Sequence, residues 1–251
     1  MPDTLYKTEG IVLRAYPFGE ADRVIVLQTA EHGKVRAVAK AVSRAKSRLA
    51  AAVQLFTHGQ YILWQGRELD GISQADIVRP SYVLTGDLGA LAAASYAVEM
   101  VDGFWEDRQE APEAFALLRD SLDWLGGGGL PGPAFLRHLE LQVLSAAGFA
   151  PELEACANCG RPLADDAAAR YVPSRGGLCC QACGGEGRMV APAAGGWLRA
   201  LAATASRGDL PPPPGGNAPS EAAAALLSHL TFILGRPLRS RSMLEILPMN
   251  P

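Results

Sequence analysis

Residues 5–79 carry the alternation of strands, and from Ser81 the apolar spacing becomes that of helices. Ile11-Val12-Leu13 begins a strand and Arg23-Val24-Ile25-Val26-Leu27 makes a second. Lys34-Val35-Arg36-Ala37-Val38 alternates as a half-buried third strand does. Glu31-His32-Gly33 is a turn between the last two. A basic interval at 40–52 follows, and its Ala-rich end predicts a short helix. Phe56–Trp64 and Arg67–Val78 are two more strands, joined near Gly66. Three strands, a connector and two strands is the order of a five-stranded OB barrel, whose face and loops bind oligonucleotides. SH3-like barrels share much of that order.

Beyond Ser81, Leu84, Leu88, Leu91, Ser95 and Val98 step by three or four and predict one helix to about Phe104. Pro112 opens another, with Phe115, Leu118, Leu122 and Leu125 on one face, ending in Gly126–Gly129. Pro133 starts a third, which stops at Gly148. Trp197, Leu198 and Leu201 lie on a further helix, and Glu221–Leu234 is expected to be the last. Asp209–Pro219, with four prolines in a row, reads as an exposed loop.

Two Cys-x-x-Cys-Gly units interrupt the helices: Cys156-Ala-Asn-Cys159-Gly160 and Cys180-Gln-Ala-Cys183-Gly184, with twenty residues between them. That spacing reads as a zinc site with four thiolates, closed and structural. In each unit the Gly after the second Cys is expected to let the backbone turn back. Cys179 competes with Cys180 for the fourth position. Only Cys180 keeps the repeat, so Cys156, Cys159, Cys180 and Cys183 are the expected ligands of one structural Zn2+. A thioredoxin-like motif lacks its strand–helix context here. The expected class is α+β, with an OB barrel at 1–80, a helical domain at 81–150 and 191–251, and a zinc module at 151–190.

No run reaches the roughly eighteen apolar residues of a membrane span, and Met-Pro-Asp-Thr lacks the features of a secretion signal. The expected compartment is the cytosol, where cysteines serve metals more often than disulfides. Net charge is −3. Residues 1–80 hold eleven Lys/Arg and eight Asp/Glu, a net of +3, which leaves −6 for the rest. Gly33–Arg67 contains seven basic residues and no acid. Such a stripe on an acidic chain is a footprint for a phosphate backbone. The candidates for DNA contact are Arg14, Lys34, Arg36, Lys40, Arg44, Lys46, Arg48 and Arg67, with Arg239 and Arg241 in the basic tail. Tyr16, Phe18, Phe56, Tyr61 and Trp64 are available for base stacking, and alternation turns at most two or three of them outwards.

Catalytic patterns are thin. His32, His58, His138 and His229 are scattered, and Gly33-Lys34 lacks the rest of a phosphate-binding loop. Gly127, Gly129 and Gly132 form a literal G-x-G-x-x-G, but it joins two helices rather than following a strand. A zinc hydrolase requires an open metal position, which a four-thiolate set does not leave. The chain is expected not to be an enzyme.

The order of these pieces resembles the RecO family of bacterial recombination mediators. The resemblance runs through Thr8–Arg14, Gly19–Val24, Thr29–Val35, the basic run Ala39–Leu49, Gly66–Leu69, Tyr96 with Glu99–Asp102, Phe135–Pro151 and Leu234–Arg241. Many members have Gly where this chain has Ala41. The resemblance implies an OB domain, a helical domain and a zinc module that only some members keep. It implies binding of single- and double-stranded DNA, strand annealing, and help in loading RecA in DNA repair and homologous recombination. The partners it implies are RecR, single-stranded-DNA-binding protein and, as a further candidate, RecF, at the bacterial nucleoid and with no membrane contact. A reading from another class is a zinc-containing protein-interaction scaffold with incidental DNA contact, supported by the acidic, apolar remainder of the chain.

Overall fold

A computed structural model describes residues 4–44, 47, 49–84 and 86–246. Strands β1 (Leu5–Phe18), β2 (Asp22–Thr29), β3 (Lys34–Ala39), β4 (His58–Trp64) and β5 (Asp70–Arg79) close into a barrel in the order β1-β2-β3-β5-β4. All neighbours are antiparallel except β3 and β5. This is the expected OB barrel. One alternating set, Val12, Ile25, Leu27, Val35, Ala37, Ala39, Tyr61, Leu63 and Ile72, meets inside. A bulge between Val12 and Arg14 lets β1 pair with β4 in its first half and with β2 in its second.

The predicted helix in the connector does not form. Residues 41–44 and 49–54 make tight turns, with Arg44 N–H donating to Ala41 O and Gln54 N–H to Ala51 O. The reason is tertiary. Val42 and Val53 join the barrel core, and Ala41 and Phe56 at either side adopt φ of 53° and 69°, outside any helix.

Two compact units divide the chain, Met1–Gly129 and Leu130–Pro251. The change of element type at residue 80 is therefore not where compactness divides it. Helices α1 (Leu88–Phe104) and α2 (Pro112–Gly126) group with the barrel and pack over β1 and β2. The outward set Ile11, Leu13, Val24 and Val26 is consequently buried too. That double burial explains why β2 reads as an unbroken apolar run. The single helix expected from Ser81 is split. A 3-10 turn spans Ser81–Leu84, and α1 starts only after Asp87, whose carboxylate accepts from Gly89 N–H at 2.7 Å and Ala90 N–H at 3.2 Å. Its buried residues are Ala90, Ala92–Ala94, Tyr96–Val98, Met100 and Val101; of the predicted stripe Val98 is buried and Leu88 exposed.

The second unit contains α3 (Pro133–Ala146), short strands β6 (Ala169–Val172), β7 (Gly177–Cys179) and β8 (Arg188–Val190), then α4 (Pro192–Ala203), α5 (Ala218–Leu234) and α6 (Arg241–Ile246). The strands form an antiparallel sheet, β7-β6-β8. At three or four residues each they are too short for alternation to announce them. The helix expected to be last, α5, is followed by α6. Among the described residues no helix is long and apolar enough to cross a membrane.

Candidate nucleic-acid interface and metal centre

The cysteine quartet is assembled by β7 and the loops beside it. Cys156, Cys159, Cys180 and Cys183 bring their sulfurs within 4.8 Å of one another. Cys156 is anchored from both sides: its N–H donates to Arg161 O at 2.8 Å, and the Ala157 N–H donates to Leu178 O on β7 at 2.8 Å. Cys179 ends β7, pairs with Arg170 and is wholly buried, which leaves Cys180 in the set. The two turns differ. Gly160 has the expected left-handed φ of 70°; in the second turn that role falls to Gly185, at 48°. Gly184 serves close approach instead, since a Cβ there would lie 2.5 Å from Arg170 Cβ.

The fold shifts one thiol of the set strongly downward. Burial alone pushes the Cys156 thiol up, but the backbone N–H groups of Cys159, Cys180 and Asn158 outweigh it and bring it down to about 5. The Cys180 N–H lies 3.3 Å from that sulfur. At Cys183 the Asn158 side chain lowers the thiol, yet Cys180, Cys159, burial and Cys156 together hold it up at about 11. Four thiols around one point, one of them with a lowered pKa, can hold a metal ion. A tetrahedron of metal–sulfur bonds of ~2.3 Å sets sulfurs ~3.8 Å apart, so this spacing fits.

The second candidate lies on the outer face of β1, β2 and β3, where period two and the register build rows. Arg14 stands opposite Val26, which stands opposite Arg36. The next row is Tyr16, Val24 and Val38. Phe18 pairs with Asp22, whose carboxylate accepts the Ala41 N–H at 2.7 Å. Ser43 N–H donates to Ala21 O at 3.0 Å, so the start of the connector is tied to the β1–β2 turn. The far end of this face is therefore open, with Tyr16 and Phe18 39% and 48% exposed. Lys40 and Arg44 beside them are exposed, and among the described residues neither side chain has an ion-pair partner.

The other sequence candidates separate. Lys34 is buried, with its ammonium 2.6 Å from Asp102 O and 3.3 Å from Asp102 Oδ1. Arg14 and Arg36 are half exposed but paired with Asp102 and Asp107. Arg67 is exposed in the β4–β5 turn, which adjoins the other end of β1. Lys46 and Arg48 lie outside the described residues. Arg239 and Arg241 are exposed and belong to the second unit. Of the rings, Phe56 and Tyr61 are buried, and Trp64 packs on Gly71. The acids Asp102 and Asp107 were not legible as part of the face, because they reach it from well over sixty positions away.

The histidines take packing roles. The His32 ring meets Tyr6, and His58 Nε2 is 2.5 Å from Glu9. His138 Nδ1 is 3.1 Å from Leu201 O and His229 Nδ1 is 2.9 Å from the Tyr171 hydroxyl, and burial pushes both rings below the usual imidazole value.

Comparison with known proteins agrees with this architecture. Residues 1–81 match the family described as Recombination protein O N terminal, and residues 85–242 match Recombination protein O C terminal. The chain belongs to the RecO family. A protein of Anaeromyxobacter sp. (strain K) named DNA repair protein RecO is 39% identical over 248 residues, 95% of each chain. Proteins of the same name from Symbiobacterium thermophilum and Nocardioides sp. are 41% identical over 73% of each chain, and 36% identical over 96% of this chain and 99% of theirs. The boundary between the two RecO family segments falls in the 3-10 turn region between β5 and α1, so the C-terminal segment contains helices that pack on the barrel.

Proposed function

We propose that this RecO-family chain is a non-enzymatic DNA-binding protein of repair and recombination. It binds single- and double-stranded DNA, anneals complementary strands and assists RecA loading, with RecR, single-stranded-DNA-binding protein and RecF as partners. The observation that carries the reading is the end of the β1–β3 face where Tyr16 and Phe18 stand exposed and where Lys40 and Arg44 have no ion-pair partner among the described residues. Rings on which bases stack beside cations that track phosphates are the components of a single-strand site. Cations that neutralise phosphates on two strands lower their repulsion and let bases pair. Lys46, Arg48 and Arg67 are proposed as further phosphate contacts, as are Arg239 and Arg241 of the second unit.

Zinc is the ion proposed for the quartet, since four thiolates in a tetrahedron suit it and leave no position for substrate. Its contribution there is cohesion of a module whose core is small. Cys156, Cys159, Cys180 and Cys183 are the proposed ligands.

The test is fluorescence anisotropy of a labelled oligonucleotide across salt, with an annealing assay alongside. Lys40→Ala with Arg44→Ala is expected to weaken binding about tenfold near physiological salt and to flatten the log–log slope by about 1.4, two contacts at ~0.7 each. Unchanged affinity in a folded double variant would remove the face from consideration. The scaffold reading keeps one observation in its favour, the exposed apolar side chains Met189 and Phe232 of the second unit. It predicts no annealing by the protein alone.

A further inference from the structure

The charge of the β1–β3 face is set from outside the barrel. Asp102, near the end of α1, has Oδ2 2.9 Å from Arg14 Nε and Oδ1 3.3 Å from Lys34 Nζ. Asp107, between α1 and α2, lies 2.8 Å from Arg36 Nε and 4.0 Å from Lys34 Nζ. Two carboxylates thus stand against three cations of one face.

The segment carrying Asp107 is firmly seated. Arg108 N–H donates to Lys34 O at 2.9 Å. The Arg108 guanidinium pairs at 2.7 Å with Asp70, a wholly buried carboxylate that also accepts the Tyr6 hydroxyl and, at 3.0 Å, the Gly66 N–H. Arg108 holds a left-handed φ of 63°, a conformation that persists only where the surroundings impose it. On the barrel side the chain comes so close that a Cβ on Gly33 would lie 1.9 Å from Gln109 O. Asp107 therefore meets Arg36 by construction. Yet Arg36 and Asp107 remain 46% and 40% exposed, so the pair is open to a competing anion.

We infer that Asp102 and Asp107 are built-in counter-charges that occupy phosphate positions of this face until a nucleic-acid backbone displaces them. The inference rests on the reading of the face as a DNA site. Under it, backbone phosphates engage Lys40 and Arg44 first, and gain Arg14 and Arg36 only by displacing a carboxylate. The face is thereby weakened toward sparse anions and responds to a dense polyanion that presents several phosphates at once.

The experiment measures binding of fluorescein-labelled oligo-dT to the full chain across sodium chloride. Asp107→Asn is expected to tighten binding about two- to fivefold at low salt, the range of one exposed ion pair. It should also steepen the log–log slope by about 0.7. Glu106→Gln removes the same charge one residue away, from an exposed side chain with no cation partner among the described residues, and should change little. Arg36→Ala should cost little alone and should cancel the gain of Asp107→Asn. Equal gains from Asp107→Asn and Glu106→Gln, or a gain that survives Arg36→Ala, would overturn the inference by reducing it to net charge. A loss from Arg36→Ala alone as large as that from Lys40→Ala would overturn it without use of the Asp107 variant. If Lys40→Ala with Arg44→Ala weakens binding while Asp107→Asn changes nothing, the face stands and the counter-charge fails. If neither changes binding, the reading of the face itself fails.

Discussion

The cysteine module and the barrel face reach their chemistry by opposite routes. In the module the groups that act together are sequence neighbours in pairs, and two short turns aim four sulfurs at one point. On the face the cations come from β1, β3 and the connector, and their partners from α1 and the segment after it. The first arrangement is local and tolerant of what surrounds it. The second exists only when the barrel has closed and the helices have packed on it. Under the proposed function the first part holds the second unit together and the second meets DNA, so each is expected to be disturbed without the other.

The largest effect belongs to the module. Cys156→Ser removes the thiol whose pKa the fold lowers most, and is expected to abolish binding of the proposed metal and lower the stability of the second unit by several kcal/mol, the scale of a small metal-dependent module. Elemental analysis and thermal melting check this, and oligonucleotide affinity should be unchanged at temperatures where the variant is folded. Loss of affinity in a folded variant would break the separation. Next comes the open end of the face. Tyr16→Ala with Phe18→Ala should weaken single-strand binding by about 1–3 kcal/mol per stacked base while leaving metal content and melting of the second unit alone. Equal weakening for duplex would show that the rings do not stack on unpaired bases. The smallest effect sharpens the boundary between shape and charge. Ala41 carries a left-handed φ of 53°, a conformation that suits Gly better. Ala41→Gly relieves strain of about 1–2 kcal/mol against an entropic cost of about 0.5–1, so a net gain near 0.5 kcal/mol is expected in denaturant unfolding of the first unit. Lower stability would mean that the connector is held by contacts of the Ala41 methyl.

Much of the fold was legible because its causes are short-range. An apolar run marked β2 and alternation marked β3, each to within a residue or two, and Pro112 and Pro133 marked the starts of α2 and α3. The misses share a cause in packing. Ala-rich residues 49–52 favour a helix by themselves, yet Val42 and Val53 pull the connector into turns against the barrel core. The stripe through Leu84 and Leu88 suggested one helix, while Asp87 caps a later start and alanines form the buried face. Arg14, Lys34 and Arg36 read as free cations because their acids lie 68 to 88 positions away in the case of Asp102.

By itself the amino-acid sequence determined the strand order, the grouping of Cys156, Cys159, Cys180 and Cys183 and the concentration of positive charge in the first third of the chain. Each follows from interactions within a few residues or from composition. The tertiary structure alone decided which of two alternating barrel faces the helices cover, which rings remain at the surface and which cations are already matched. Those outcomes depend on where distant segments come to rest, since burial and ion pairing are properties of neighbours in space.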